Sequence, residues 1–304
     1  MSKTVSLVLG SGGARGLAHI GVIEELEKKG FKIGSISGSS MGAFVGGIYA
    51  KGELNVYKDW VCELDKLDVF KLIDFTFSTQ GFIRGERIIT EIMKIIEDCR
   101  IEQLSIPFAA VATDIVNKKE VVFTSGSLFR ALRASIAIPT VLTPISIDNV
   151  DLVDGGVINP IPIEHVERTT GDLLVVVNVN ANKPYLKNHN KSKEDKIRDA
   201  ERKNLTDIFK RKWQEFFPAN KTSSKKLGFF ELMNRSIDLM QDRLTDTLLD
   251  RYQPDIQVNI SRDACSTFEF YKAKEMIEEG KRALTDSLKK HSMHEHSRTE
   301  QGAG

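Results

Sequence analysis

The chain has 304 residues, 41% hydrophobic and 28% charged, which is enough to bury a sizeable core and ordinary for a globular protein. A net charge of +1 gives no basis for a nucleic-acid partner. Three cysteines (Cys62, Cys99 and Cys265), odd in number and without metal or redox spacing, read as reduced thiols in a cytosolic protein. No apolar run nears the ~18–20 residues that span a bilayer, and the leading run from Val5 to Leu9 is too short for a signal-peptide core, so a cytoplasmic protein is expected.

In chain order, "VSLVL" reads as a short buried strand bounded by glycine. After "GSGGARG", apolar Leu17, Ile20, Ile23 and Leu26 recur at helical spacing up to a stop at Gly30. "KIGSIS" is a second strand, followed by "GSSMG" and a helix over 41–51. Strand, glycine turn and helix thus occur twice in fifty residues, which argues for a parallel sheet covered by helices. Residues 54–100 read as mainly helical, with a loop near "FSTQGFIRG". "PFAAVATDIV" and "KEVVFTSG" form a hairpin, "SLFRALRASIAI" a helix ending before Pro139, and "PISIDNVDLVDGG" a strand pair turning at Asn149. "DLLVVVNVN" and "DIQVNI" are strands, 229–250 and 268–289 are helical, and 291–304 read as a disordered tail.

"GSSMG" fits G-x-S-x-G, which sets a serine on a sharp strand-to-helix turn. Gly38 and Gly42 leave room around Ser40, since a neighbouring Cβ would collide in the turn. Ser40 is therefore a candidate nucleophile, with a glycine-rich packing turn as the alternative. In "GSGGARG", consecutive glycines before a helix expose backbone N–H groups at the positive end of its dipole, suited to a phosphate or an oxyanion. Neither a G-x-G-x-x-G register nor a Walker lysine is present, so the oxyanion reading is favoured over nucleotide binding. Arg15 adds positive charge or anchors the loop.

A serine hydroxyl needs a base to take its proton. Of six histidines, His19 reads as a packed helix residue, His189 lies in a basic segment, and His291, His294 and His296 fall in the tail. His165, which follows "NPIPIE" in an expected helix, is the one that would complete an ordered Ser–Asp–His triad. Asp154 in "LVDGG" ends an apolar strand before Gly155 and Gly156, which again clear space around a side chain. A buried carboxylate with a raised pKa can deprotonate serine directly. A helix-capping turn aspartate remains the alternative.

Together, "GSGGARG", "GSSMG" and "DGG", in this order and with "AHIGVIEEL", "VATDI", "ALRASIAIPTVLTPI", "VDGGVINPIPI" and "CSTFEFYKAKEMIEEGKRA", resemble patatin-like phospholipases. The similarity is to the bacterial cytoplasmic branch related to the catalytic domain of neuropathy target esterase. It covers roughly residues 5–180 and 250–285; Ser11 stands where many relatives carry glycine. The resemblance implies a three-layer α/β/α domain with a mostly parallel sheet over 1–290, and a serine esterase acting on a lipid or acyl ester. It also implies Ser40 as nucleophile, Asp154 as general base, and the amides of Gly12 and Gly13 as oxyanion hole, with no metal or cofactor. The alternatives are a Ser–His–Asp carboxylesterase and a non-catalytic adaptor that keeps the fold.

Residues 182–226 carry fourteen Lys/Arg against six Asp/Glu, leaving the segment at +8 and the rest of the chain at −7. Within it, "NLTDIFKRKWQEFF" (204–217) sets Leu205, Ile208, Phe209, Trp213 and Phe216 on one helical face beside Lys210, Arg211 and Lys212. Such a helix suits peripheral contact with the inner face of a membrane. The favoured expectation is that this face packs on the protein as a lid or helix cover, with its lysines solvated.

Overall fold

Continuous apolar runs such as "VSLVL" and "LLVVV" are suited to strands covered on both faces, and they form the middle of the sheet. The computed structural model describes residues 3–72, 81–83, 85–185 and 229–301. Its first elements are β1 (Thr4–Leu9), a 3-10 turn (Gly13–Leu17), α1 (Ala18–Lys28), β2 (Lys32–Ser39) and α2 (Met41–Ala50). Next come α3 (Leu54–Glu63), α4 (Lys66–Leu72), β3 (Gly81–Ile83), α5 (Glu86–Met93), β4 (Phe108–Asp114) and β5 (Lys119–Phe123). Then follow α6 (Leu128–Ser135), β6 (Thr140–Leu142), β7 (Ile145–Ile147), β8 (Val150–Asp154) and β9 (Leu173–Ala181). The chain closes with α7 (Phe229–Tyr252), β10 (Ile256–Ser261) and α8 (Ala273–Gln301).

Five strands run parallel in the order β10-β9-β1-β2-β4, and β5, β8 and β7 add antiparallel pairings at the β4 side. Alternation along β1 gives each layer its core. Val5, Leu7 and Leu9 pack with α1, α2 and α8, while Val8 joins Ile161, Ile163 and the α7 residues Leu248 and Leu249. The sheet is thus mixed, mostly parallel and flanked by helices, as expected.

Local chemistry explains the ends of several elements. Ser127 caps α6 by accepting from the amide of Arg130, and the Asp114 carboxylate takes both the amide and the side chain of Asn117 in the β4–β5 turn. Asp148 and Asn149 both adopt positive φ, the left-handed pair that a tight β7–β8 turn requires.

Three expectations change. Residues 81–83 and 140–142 form a separate two-stranded sheet, β3 with β6, where a loop and an unassigned stretch were expected. Leu142 is buried there against Phe268, a tertiary contact that local pattern does not encode. His165 lies in a 3-10 turn, Ile163–His165, rather than a helix. The last helix continues through Gln301, so 291–301 extend α8 instead of forming a disordered tail. The amphipathic stretch 204–217 lies outside the described residues.

Helices α1 and α8 cross at two glycines: a Cβ on Gly21 would sit 1.8 Å from the Ile277 carbonyl oxygen, and one on Gly280 would sit 2.0 Å from that of Ala18. Alanine is the better helix former by about 1 kcal/mol, yet Gly280→Ala should lower stability by roughly 1–3 kcal/mol as the crossing is forced apart. Chemical denaturation tests this, and an unchanged or raised midpoint would show that the helices do not need this approach.

Candidate active site

Ser40 sits between the last residue of β2 and the first of α2 with φ 55° and ψ −125°, a backbone conformation that non-glycine residues seldom hold without support. The support is visible. The Ser40 amide donates to Ser135 Oγ at 2.8 Å, and Ser135 Oγ donates in turn to the Val111 carbonyl at 2.6 Å. The turn is also tight enough to need its flanking glycines: a Cβ on Gly42 would lie 2.0 Å from the Leu9 carbonyl oxygen, and one on Gly38 would lie 2.4 Å from the Ala43 nitrogen. Ser40 is only 3% exposed.

Asp154 reaches Ser40 through strand register. On β4, Phe108 to Val111 pair with β2, and Ala112 to Asp114 pair with β8. β5 pairs with Ala110 to Asp114, overlapping both sets, so β2 and β8 must share the opposite edge. They run toward each other along that edge, and their ends, Ser39 opposite Val111 and Asp154 opposite Ala112, meet at adjacent β4 positions. Ser40 Oγ donates to Asp154 Oδ2 at 2.5 Å, the Gly156 amide donates to Oδ1 at 2.7 Å, and Thr113 Oγ1 donates to the Asp154 carbonyl at 2.9 Å. Asp154 is 4% exposed. Burial pushes its pKa up to about 7, opposed by the hydrogen bonds from Ser40 and Gly156.

The glycine loop lies against this pair. The amides of Gly10, Ser11 and Ala14 are tied to the carbonyls of Val177, Pro160 and Thr267. Those of Gly12 and Gly13 have no acceptor among the described residues. Gly13 holds φ +55° and packs on Thr267. Arg15 turns away from Ser40 and donates from Nη1 to the carbonyls of Arg262 and Cys265, anchoring the loop to the segment after β10.

Neither histidine weighed near the site is bonded to Ser40. His19 is buried with Nε2 2.9 Å from the Gly10 carbonyl oxygen, and burial lowers its pKa to about 4, so it holds the loop as a neutral ring. His165 pairs through Nε2 with Glu120 Oε2 at 2.6 Å, a hydrogen bond that raises its pKa. Among the described residues, Glu120, Glu164 and His165 are the group whose donor atoms could meet on a metal ion. Their donors are engaged with one another and with the Asn159 amide.

An apolar cavity opens at Ser40 and Gly13 and is walled by Met41, Phe44, Ile92, Ile138, Leu142 and Phe270, among others. Neither these walls nor Ser135 carry a signal in the local sequence. "RASIAIP" carried no local sign that its serine would support another turn. What could have been noticed is a serine among apolar residues on a helix that faces the sheet.

Residues 7–166 match the family model of patatin-like phospholipases. An uncharacterized NTE family protein of Mycobacterium tuberculosis is 34% identical over 340 aligned residues, covering 94% of this chain and 92% of that protein. The lysophospholipase nte1 of Emericella nidulans is 32% identical over 182 residues, 58% of this chain and 12% of the fungal protein. Among solved structures, VipD from Legionella pneumophila aligns with a TM-score of 0.47 at 13% identity, covering 95% of this chain and 67% of that one.

The Asp154 carboxyl has a folded-state pKa of about 7 against an ordinary 3.8. The stability this group contributes is therefore present in full below pH ~4 and lost as pH rises through about 7. Asp154→Asn removes the ionisation while keeping a hydrogen-bonding amide, so its stability relative to the parent should grow between pH ~4 and ~8, by up to ~4 kcal/mol. Thermal denaturation across that range reads the difference; a gap that does not change with pH would mean that the carboxyl is solvated in the folded protein.

Proposed function

The chain belongs to the patatin-like phospholipase family, and on that premise we propose that it hydrolyses lipid acyl esters with Ser40 as nucleophile and Asp154 as its base. The observation that carries the proposal is the 2.5 Å hydrogen bond from Ser40 Oγ to Asp154 Oδ2, with both groups withdrawn from water at one end of an apolar cavity. The family supplies the reaction class, a lipid hydrolase; the residue roles rest on geometry and chemistry.

The acyl portion of the ester occupies the apolar cavity and brings its carbonyl carbon to Ser40 Oγ. As Oγ attacks, its proton passes to ionised Asp154. The carbonyl oxygen becomes an oxyanion and is received by the free amides of Gly12 and Gly13, helped by the positive end of α2. Collapse breaks the ester C–O bond, and the proton held by Asp154 goes to the departing alcohol. Water then attacks the acyl-serine, giving one proton to Asp154 and returning Oγ to the hydroxyl as the fatty acid leaves.

A carboxylate near its neutral point at physiological pH is well matched to taking and returning one proton per half-reaction. Histidine has no comparable claim here, because His19 is spent on Gly10 and His165 on Glu120. A peripheral membrane role for 204–217 fits a bilayer substrate and the +8 charge of 182–226. Among the described residues no helix is long and apolar enough to cross a membrane.

Ser40→Ala and Asp154→Asn should each reduce nitrophenyl ester hydrolysis by at least ~10³-fold, while His165→Ala retains it. A fluorophosphonate should label Ser40 and block turnover. A folded His165→Ala protein without activity would favour a triad instead.

The base acts ionised, so kcat/KM should rise with pH, reach half its plateau near pH 7, and stay level above that. Stopped assays across pH measure this. A rate that falls between pH ~6 and ~8 would require the opposite protonation state of Asp154.

A further inference from the structure

Among the described residues, the cavity at Ser40 is lined by hydrocarbon except at two places. Ser40 and Thr267 stand beside Gly13, where the ester is expected. The other polar side chain is Tyr57 on α3. Its ring packs against Phe44 with centroids 5.3 Å apart, and Phe44 lies one helical turn beyond Ser40, so Tyr57 stands farther along the cavity than the reacting group.

Tyr57 is 2% exposed, and its hydroxyl has no hydrogen-bond partner among the described residues. Two of the other four tyrosines have an acceptor, while the half-buried Tyr185 and Tyr252 have none among the described residues. Tyr49 donates to Glu27 at 2.8 Å and Tyr271 donates to Glu269 at 2.6 Å. An acyl chain packed over this phenol would leave it without an acceptor, which is unfavourable, and a phenylalanine would keep the same ring contacts without that penalty. Tyr57 lines the cavity, and burial keeps its phenol protonated, so the residue can offer a donor but not a negative charge there.

We propose that Tyr57 is a specificity-determining residue that selects acyl chains carrying a hydroxyl group at a carbon beyond those next to the ester. This rests on the reading of Ser40 as an ester hydrolase whose acyl group fills the cavity. The Tyr57 O–H donates to the oxygen on the chain, and the apolar walls hold the methylenes on either side. A plain chain fills the same space but leaves the phenol unpaired, and a site built around a hydrogen bond discriminates against the analogue that lacks it.

The test compares kcat/KM for nitrophenyl dodecanoate with that for its mono-hydroxy isomers, substituted at successive carbons, in the full chain and in Tyr57→Phe. At least one isomer should be preferred over the plain chain by about tenfold, and Tyr57→Phe should bring that ratio close to one. Calorimetry with the corresponding free hydroxy acid on Ser40→Ala protein should show tighter binding than with dodecanoate, a difference that Tyr57→Phe removes. Preference for the plain chain over every isomer, or a preference that survives Tyr57→Phe, overturns the proposal. No hydrolysis of any ester together with no fluorophosphonate labelling of Ser40 overturns the hydrolase reading, and this proposal with it.

Discussion

The site depends on two strands that meet head to head along one edge of β4. A parallel strand and an antiparallel strand cannot both occupy the same stretch of an edge, so β2 and β8 stop where they meet. Because strand ends are set by hydrogen-bond register, this gives the Ser40–Asp154 distance the precision of a ladder rather than that of a loop. The two residues are 114 positions apart in sequence. Neither a flexible connection nor a long side chain is needed to join them, since β4 aligns both.

The arrangement is costly, and the surrounding structure shows where the cost is carried. Ser40 holds a left-handed backbone, Asp154 is removed from water, and the Gly12 and Gly13 amides lack acceptors among the described residues. Each is unfavourable in isolation. All three are fixed by parts of the fold that have no direct share in the chemistry: Ser135 bridges the Ser40 amide to β4, Thr113 holds the Asp154 carbonyl, and Arg15 ties the glycine loop to the segment after β10. These local penalties fall within the candidate site, where the proposed reading makes them useful as a preorganised oxyanion receptor and a poised base.

How much of this the chain declares in advance follows from the range of each interaction. β1, β2 and the two glycine turns are local patterns, and they stand where periodicity and turn chemistry put them. Ser40 was legible because a strained turn needs glycines at fixed offsets. Asp154 was only half legible: its own neighbourhood fits a capping aspartate equally well, and the family resemblance, not local spacing, assigned it a partner. The hydrogen bond to Ser40 follows from the β8 register on β4, which no window of sequence contains. Ser135, the β3–β6 pair and the continuation of α8 past residue 290 fail to read for the same reason, since each depends on a neighbour distant along the chain.

Chemistry and selectivity are therefore written in different parts of the polymer. The groups proposed to react come from β2, β8 and the glycine loop, all anchored to the central sheet. Most cavity walls come from α3, α4 and α5, from the stretch after α6, and from residues 267–270. Those walls contact the catalytic framework mainly through side-chain packing, as Phe44 does with Tyr57. Packing tolerates exchange of one apolar residue for another far better than a strained turn tolerates a new Cβ. On the proposed reading, the walls are accordingly free to change substrate preference without moving an ester carbonyl relative to Ser40. A hydroxyl placed among them, where hydrocarbon would pack as well, makes most sense as a group that meets an oxygen brought in by the ligand.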